Sequence, residues 1–555
     1  MRITIGSFGG IVPRQSDHNL SVVNARKAHD VKLRNGRIEA WNEPCEFWSA
    51  IPGARSFHLH GCYPVSWREQ VQAAEVSPDW RCFYISGRTD TIESVYLDQS
   101  CAPVYYKLGL PAPETAPRVT GTEACGRDVD VRSYVYTYVN QWGEESAPSP
   151  VSAVIRCADG APVTVTNIAL PPDGYGIVAA KVYRSASAPR NADGKEQKPS
   201  TDFFFVGVVL FPSTSFLDKI LIKGLGFPLE THKNRMPPAG IRNVVNVEGT
   251  VRLAGTTANR VHLSEFYQPH NWPAKYDLTL DSNIVHMGCV DQKLYVTTDT
   301  VPYVIDVSSC EDMKCIPVMD IQMPMPDISC KYNHAAIVTP HGYIYSSPLG
   351  VILVDPSAKW HIVTAKWFSA DDWKKVRPDT ARFAYWEGFL FVITDEVSFM
   401  LNINGDPYGD MKMSELVTIS DSPIDLAVSN TGSLIMLSDA KLLTWNGSNT
   451  PRPYFWESRE LTGGSNQPNG TTPSVAPPVG YLWTPVSAKI RTRETDFTLL
   501  DDADHVVYTR RVASERPFRL PRYGRHSYYF ARFQGVEPVE FFDMGTSHFT
   551  VNYGE

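Results

Sequence analysis

The chain has 555 residues, of which 43% are hydrophobic and 20% charged, so its composition is that of a globular protein and excludes a collagen or a wholly disordered chain. Its length predicts two to four domains, because single cores stop growing near about 250–300 residues. Lys and Arg number 52 against 60 Asp and Glu, and the net charge of −8 argues against a protein that coats nucleic acid.

The apolar runs and the amino terminus predict neither a membrane-spanning segment nor a signal peptide. The longest apolar run, Phe203 to Phe211, has nine residues, whereas a membrane helix needs about 20. The amino terminus has no basic-then-apolar pattern. Ten cysteines are sparse and show no short-period framework, which indicates reduced thiols. We expect a soluble, unsecreted chain.

Residues 1–130 are predicted to contribute strands to a β-propeller, because apolar and polar residues alternate along them. Two segments are candidates for closing its ring. One is Asn35 to Trp41, and the other is a hairpin of Cys82 to Ser86 with Ile92 to Tyr96. The exception is a short helix predicted near Asn24 to Asp30.

Residues 131–220 have a different pattern, with about seven short alternating strands and prolines at the strand ends. Strands are expected at Tyr134 to Val139, Val163 to Val165, Lys181 to Arg184 and Phe203 to Leu210. This pattern indicates an immunoglobulin or fibronectin type III-like sandwich inserted into the propeller.

Residues 221–460 contain a repeat in which a hairpin turn joins two apolar strands. The turn positions, separated by 43, 50, 46 and 44 residues, are Gly249, Gln292, Gly342, Gly388 and Gly432. This spacing is that of propeller blades, which bury their faces only when further blades stack on them. The predicted fold class is therefore all-β, a β-propeller of six or seven blades with the inserted sandwich and a small carboxy-terminal β region. An unclosed run of hairpins in a sandwich is the alternative.

The end of the chain is predicted to be a linker followed by that small β region. Residues 461–485 are rich in Gly, Pro, Ser, Thr and Asn and predict a flexible loop or linker. Residues 486–555 alternate again. They must hold together by packing, because no cysteine follows Cys330.

The sequence contains none of four common catalytic or ligand-binding motifs: the phosphate-binding glycine loop, the His-Glu-x-x-His helix, the Gly-x-Ser-x-Gly turn and the EF-hand. We predict a protein that is not an enzyme and has neither catalytic residues nor a cofactor. The adjacent acids Asp371 and Asp372, like Asp501 and Asp502, are predicted to lie in solvated turns.

Four residues of types that bind zinc are Cys310, Cys315, Cys330 and His334. Their spacing lacks a Cys-x-x-Cys knuckle. We predict no metal site and interpret the cysteines as loop and packing residues. One short helix is predicted among the blades, from Ala370 to Lys375, with Ser369 as its cap and Trp373 facing inward.

The strongest charge feature is a run of arginines near the carboxy terminus. The predicted partner-binding residues are Arg510, Arg511, Arg516, Arg519, Arg522 and Arg525. Arg532 extends the run, and Glu515 is the only acid within it. Such a run can bind phosphates, bind an acidic protein, or protect a solvated edge strand. Of these interpretations, a protein partner is favoured.

Several phrases of the sequence resemble one family. They are Phe8 to Pro13 (FGGIVP), Gly143 to Pro150 (GEESAPSP), Val182 to Ser185 (VYRS), Leu263 to Pro273 (LSEFYQPHNWP), Arg516 to Pro521 (RPFRLP) and Phe533 to Gly535. Together they resemble the tail nozzle, or tail tubular protein B, of short-tailed bacteriophages and related prophage virion proteins. The phrases are packing and turn segments, so the resemblance implies no active site.

The resemblance implies a structural virion protein. The expected assembly is a homohexameric tube at the end of the portal and adaptor, through which genomic double-stranded DNA passes transiently. Tail fibres or spikes are expected to attach to its flank. The expected location is the virion tail, after assembly in the host cytoplasm. The alternative function is a tail β-propeller that binds or cleaves host glycans.

Overall fold

The computed structural model describes residues 2–76, 82–124, 129–186, 202–309, 313–318, 334–403, 415–462 and 482–547. The first strands are β1 Arg2–Ile5, β2 Ala25–His29, β3 Val31–Lys32, β4 Glu39–Ala40, β5 Cys45–Ser49, β6 Ser56–His60, β7 Tyr63–Trp67, β8 Gln72–Ala74, β9 Cys82–Ser86, β10 Glu93–Leu97 and β11 Pro103–Lys107. There follow β12 Arg118–Gly121, β13 Val129–Arg132, β14 Tyr134–Asn140, β15 Ile155–Ala158, β16 Val163–Thr166, β17 Ile177–Ser185, β18 Phe203–Leu210 and β19 Phe216–Asp218.

The middle strands are β20 Arg242–Asn246, β21 Leu253–Thr257, β22 Arg260–Leu263, β23 Leu278–Thr279, β24 Ile284–Val290, β25 Lys293–Thr298, β26 Tyr303–Asp306, β27 Lys314–Pro317, β28 Ala336–Thr339, β29 Gly342–Ser347, β30 Gly350–Val354, β31 Trp360–Ile362, β32 Arg382–Trp386, β33 Phe389–Ile393, β34 Ser398–Asn402 and β35 Val417–Ile419. The last are β36 Asp425–Val428, β37 Leu434–Ser438, β38 Lys441–Thr444, β39 Tyr454–Ser458, β40 Leu461–Thr462, β41 Ser487–Thr492, β42 Thr495–Leu500, β43 Val506–Val512, β44 Phe518–Arg519, β45 Tyr528–Gly535 and β46 Val539–Gly545.

Within the described ranges, helices are few and short. The α-helix α1 spans Ala370–Lys375, and the 3-10 turns are Arg34–Gly36, Ile222–Gly224, Thr231–Lys233, Ala274–Tyr276, Val363–Lys366 and Pro378–Thr380. In the described part of the chain, no helix has the length and apolarity that crossing a membrane requires.

Four-stranded sheets in which consecutive strands are neighbours recur along the chain. They are formed by β8 to β11, β20 to β23, β24 to β27 and β28 to β31, while β32 to β35 follow the same order within a larger sheet. This up-and-down order is that of propeller blades. The prediction of an all-β chain with a β-propeller fold is confirmed. The predicted number of blades stays a prediction.

Four of the five predicted turn positions lie at the hairpins of these sheets, and Gly432 lies between β36 and β37 of the sheet β36-β37-β38-β5. Each of them has a positive φ: Gly249 (73°), Gln292 (60°), Gly342 (133°), Gly388 (88°) and Gly432 (81°). In the loop between β32 and β33 both Glu387 and Gly388 have positive φ. Two consecutive residues with positive φ form a type I′ turn, whose backbone twist matches that of the two flanking strands. The turn chemistry therefore located the blades correctly.

The chain divides into two compact units. The terminal unit comprises Met1–Gln70, Thr297–Val304 and Ile316–Glu555, and the central unit comprises Val71–Val296 and Ile305–Cys315. The predicted boundaries between residues 1–130, 131–220, 221–460, 461–485 and 486–555 stay predictions. Within the predicted linker, residues 463–481 lie outside the described residues.

In the central unit, strands β12 to β19 pair with one another in three sheets, β12-β16-β19, β13-β15 and β14-β17-β18. A shared core joins them, with Tyr134, Tyr136, Val165 and Val182 among its buried residues. Strands were predicted in these places. The assignment to an immunoglobulin or fibronectin type III-like sandwich stays a prediction.

The segment Gly143 to Pro150 and its continuation cover the edge of β14. The backbone N–H groups of three serines donate to strand carbonyls, Ser146 to Tyr138, Ser149 to Tyr136 and Ser152 to Tyr134. The serine hydroxyls accept the strand N–H groups in return, at 2.9–3.1 Å. Serines at every third position thus satisfy the backbone N–H and C=O groups of β14 at every second position. Glu145 fixes the start of the segment, with 2.6 Å contacts to Lys181 and Tyr183.

The segment Leu263 to Pro273 packs around the buried Arg252 of the same unit. The guanidinium carbon of Arg252 lies 4.6 Å from the ring centre of Phe266 and 4.5 Å from that of Tyr276. Its Nε donates to the carbonyl of Ser264 at 2.6 Å. Burial of the charge is therefore compensated by two aromatic faces and a carbonyl.

In the terminal unit, strands from the two ends of the chain share sheets. β1 pairs with β46, and β5 is the fourth strand of the sheet β36-β37-β38-β5. A larger sheet has the order β32-β33-β34-β35-β2-β39-β45-β42-β43. The predicted carboxy-terminal region, residues 486–555, thus contributes strands to sheets that also hold β1 and β2.

The two helix predictions have opposite outcomes. The prediction at residues 24–30 is wrong, because Ala25–His29 form β2 between β35 and β39. Sheet pairing and burial outweigh the weak helix preference of this alanine-containing segment. The prediction at Ala370–Lys375 is confirmed: the Ser369 side chain accepts the N–H of Asp372, and Trp373 is fully buried.

Candidate partner-binding surface

The six arginines predicted to bind a partner are all exposed in the terminal unit. This arginine surface consists of Arg510, Arg511, Arg516, Arg519, Arg522 and Arg525. Arg510 and Arg511 lie on β43 and Arg519 on β44, while the others lie in the connections around β44. The sequence shows only that these arginines are close together along the chain. The structure shows in addition that all six are exposed to solvent.

Two of the seven clustered arginines have an acidic partner. Arg511 contacts Glu494. The half-buried Arg532 donates from Nε to Glu457 at 2.8 Å, and its Nη2 lies 2.7 Å from the same carboxylate. The remaining five, Arg510 among them, form no ion pair within the described ranges of the chain. Their charges are therefore available to another molecule.

Buried apolar neighbours hold these arginines outward. Phe518 and Leu520 are 6% and 5% exposed, and the arginine between them, Arg519, points to solvent. The ring of Phe518 lies 5.9 Å from that of Phe497, and the N–H of Leu520 donates to the carbonyl of Val486 at 2.7 Å. The alternation along RPFRLP thus fixes the apolar residues inside and the charges outside.

Beside the arginine surface, Asp501, Asp502 and His526 bring potential ligand atoms within 4.8 Å of one another. His526 Nδ1 lies 2.9 Å from Asp502 Oδ1, and its Nε2 lies 3.2 Å from the carbonyl of Tyr523. Both ring nitrogens therefore have partners within the protein. The predicted turn is confirmed, but Asp501 is buried rather than solvated, because its carboxylate accepts backbone N–H groups of the turn.

The pairing of His526 with Asp502 makes stability depend on pH. The hydrogen bond to Asp502 raises the pKa of His526. Burial alone would raise the pKa of Asp502, but the hydrogen bonds from His526 and from the backbone of Ser527 lower it. Because the folded pKa of His526 is raised and that of Asp502 is lowered, the stabilisation is complete between about pH 4 and about pH 6.5. It disappears as pH rises through the folded pKa of His526 or falls through that of Asp502.

We therefore expect His526→Gln to lower the melting temperature clearly near pH 6 and much less at about pH 9. The comparison is made by thermal denaturation of both proteins across this range. His505→Gln is the matched control, because the His505 side chain is 79% exposed and lies 3.6 Å from Asp501. An equal effect of His526→Gln at both pH values would contradict the assignment.

A second feature of the terminal unit is an open cleft of about 850 Å³ beside β2 and β39. At its wall the buried Arg452 contacts three carboxylates, Asp30 at 3.2 Å, Glu43 at 3.2 Å and Asp421 at 2.5 Å. These residues are far apart in the sequence and carry no local motif. Sequence analysis therefore missed the cleft, and no signal in a single sequence would have found it.

The other residues considered for chemistry have structural roles where they are described. His334 Nδ1 lies 2.7 Å from Asp425 Oδ1. Two of the four potential zinc ligands, Cys310 and Cys330, lie outside the described residues. Asp371 and Asp372 belong to the first turn of α1. The predictions of no metal site and no catalytic residue stay predictions.

No protein-family model and no curated protein matches the chain. Among solved structures, it is similar to the β-propeller domain of Swd1 from Myceliophteria thermophila, with 9% identity over 50% of this chain and 80% of that one and a TM-score of 0.25. Hsv2 from Kluyvelomyces marxianus has 9% identity over 65% and 95%, with a TM-score of 0.25. Sqt1 from Saccharomyces cerevisiae has 9% identity over 68% and 95%, with a TM-score of 0.25. These similarities carry no argument about function, and the fold rests on the strand order.

Proposed function

We propose that this chain is a non-enzymatic structural subunit of a short bacteriophage tail. In this role it forms the nozzle or tube through which the genome leaves and a platform to which fibres or spikes attach. The observation that carries the proposal is the arginine surface, where five exposed guanidinium groups form no ion pair among the described residues. Exposed arginines without an ion-pair partner in their own chain can bind the acidic groups of neighbouring proteins.

Four of the segments that resemble the tail nozzle family support the proposal because each has a definite structural task. Phe8 is fully buried, with its ring centre 5.0 Å from that of Trp456. Glu145 fixes the segment along β14. Ser264 and Phe266 contact the buried Arg252, and Phe518 anchors the arginine surface. Residues with such tasks are the ones that a shared fold requires.

The proposed assembly is a homohexamer on the tail adaptor and portal, in the virion tail, with assembly in the host cytoplasm. Cyclic symmetry follows when identical subunits contact each other head to tail. Native mass spectrometry of the chain, alone and with the adjoining adaptor, tests this state. A chain that stays monomeric in both samples and in virions would refute the ring.

Replacing Arg516, Arg519 and Arg522 together with serine is expected to weaken tail assembly or fibre attachment. Exposed ion pairs contribute about 0.2–1 kcal/mol each, so three of them change partner affinity roughly tenfold. The ejection rate of particles that do assemble is expected to stay unchanged, because we place these arginines away from the DNA path. The measurements are the yield of complete tails and the rate of DNA release.

The matched control removes three other exposed cations of the terminal unit, Arg55, Lys359 and Lys374, by the same change to serine. Net charge falls equally in both variants. Normal assembly together with altered ejection in the arginine variant would show that the arginine surface faces the DNA.

The second candidate is a tail β-propeller that binds or cleaves host glycans. The cleft beside β2 and β39 favours it, because a concave site with polar groups of both signs can hydrogen-bond a polar ligand. Incubating the protein with capsular or lipopolysaccharide glycans and measuring chain length tests this function. Steady shortening of the glycan would replace the purely structural proposal.

A further inference from the structure

β43 forms the edge of the largest sheet in the terminal unit. Within the described chain it pairs only with β42, through the partners Thr495 to Val512 and Phe497 to Arg510. Its residues are mostly exposed, and Val506 is 58% exposed. The outer backbone N–H and C=O groups of such a strand can pair with a further strand.

One face of β43 is held firmly in place. The ring of Tyr508 is stacked 6.4 Å from that of Phe518, and the guanidinium carbon of Arg510 lies 4.8 Å from the same ring. Phe518 is itself buried. The edge is therefore a rigid template rather than a loose strand, which reduces the entropy lost when another strand adds to it.

The charge beside this edge is mainly positive, although Arg511 on β43 contacts Glu494 and the exposed Glu515 precedes Arg516. Arg516 and Arg519 flank Phe518 in the sequence and, with Arg510, have no ion-pair partner in the described portion. Arginines at an edge repel unwanted strands that are basic and discourage apolar ones. An acidic strand gains attraction from the same groups.

We propose that β43 is a docking edge for an acidic, extended segment of a partner protein, which adds to the sheet as a further strand. Backbone hydrogen bonds would supply affinity, and Arg510, Arg516 and Arg519 would select acidic side chains. This inference deepens the proposed function and rests on its premise that the arginine surface contacts a protein.

The test uses the full chain and a short fluorescent peptide of alternating glutamate and valine, about the length of β43. Binding is measured by fluorescence anisotropy. Two control peptides separate the contributions: in one lysine replaces glutamate, and in the other proline replaces valine, which prevents strand pairing. We expect the glutamate–valine peptide to bind at least about tenfold more tightly than either control.

Proline substitutions in β43 test the backbone contact. N–H groups of adjacent strand residues point to opposite edges, so one of Thr509→Pro and Arg510→Pro breaks pairing with β42 and the other removes an outward N–H. The variant that keeps the melting temperature identifies the outward position. It is expected to bind the peptide at least about tenfold more weakly, with Arg510→Ser as the reference for loss of charge alone.

The outcomes separate this inference from the proposed function. Equal binding of the glutamate–valine and glutamate–proline peptides would overturn strand addition. Strand addition would also be overturned if the variant with proline at the outward position bound the peptide as tightly as its reference, which is Arg510→Ser for Arg510→Pro and the unchanged protein for Thr509→Pro. It would likewise be overturned if no acidic peptide bound the protein. Impaired tail assembly of the triple serine variant, alongside any of these results, would leave the structural role intact.

Discussion

Replacing Asp218 with asparagine is expected to destabilise the central unit by about 3–5 kcal/mol, the usual effect of breaking a buried ion pair. Asp218 is fully buried, and its Oδ2 accepts hydrogen bonds from the Tyr134 hydroxyl at 2.7 Å and from Arg184 Nη1 at 2.8 Å. Its Oδ1 accepts the N–H of Ile220 at 2.8 Å. The carboxylate thus joins β14, β17 and β19.

The expected loss of stability is large because the buried guanidinium of Arg184 lacks some of the hydrogen bonds that would offset its desolvation. Its side chain is fully buried, and its Nε and Nη2 have no hydrogen-bond partner among the described atoms. Without the charge of Asp218, only the carbonyl of Ile220, at 2.8 Å, and the more distant carboxylate of Asp130, at 3.9 Å, offset the desolvation of this guanidinium. A second change, Arg184→Met, is expected to restore part of the stability of Asp218→Asn, because it removes a buried charge that has lost its hydrogen-bonded carboxylate.

The measurement is the temperature dependence of thiol labelling at Cys157, followed by peptide mass spectrometry. Cys157 is fully buried in the same core, so its labelling reports opening of this region. A loss of about 3–5 kcal/mol of unfolding free energy lowers the midpoint temperature of the labelling transition by roughly 6–20 °C. Asp173→Asn, at an exposed position, is the matched control. If the labelling midpoint fell no further in Asp218→Asn than in the control, Asp218 would not hold these strands together as argued.

Replacing Glu457 with glutamine is expected to destabilise the terminal unit by a similar amount, about 3–5 kcal/mol. Glu457 is fully buried on β39. It accepts hydrogen bonds from Arg26 on β2, with Nε at 2.8 Å, and from Arg532 on β45, with Nε at 2.8 Å. Lys27 Nζ lies 3.5 Å away. Glu457 therefore lies against three cations, of which Arg26 alone also contacts Asp504, at 2.8 Å.

Hydrogen exchange measured at β2, β39 and β45 checks this prediction, because a neutral amide leaves the cations facing one another across these strands. We expect faster exchange in all three strands of Glu457→Gln. Glu396→Gln is the control, since Glu396 is exposed in the same unit. Faster exchange confined to a single strand would show that the carboxylate does not connect them.

The sequence by itself determined the local structure. Alternation of apolar residues indicated strands, and the hairpin positions from Gly249 to Gly432 located the blades, because backbone with positive φ strongly restricts the residue type. Ser369 and Trp373 likewise identified α1, since a capping side chain and one buried residue suffice for so short a helix. The run of arginines was visible without any structure.

Only the tertiary structure decided which distant segments meet. β1 pairs with β46, and β2 lies between β35 and β39, although its sequence had indicated a helix. The contacts of Arg452 with Asp30 and of Arg26 with Glu457 each join residues more than 400 positions apart. Strand pairing uses backbone groups that every residue carries, and a single charge has many possible partners. The identity of the partner is therefore set by chain closure and burial, which no local pattern of residues encodes.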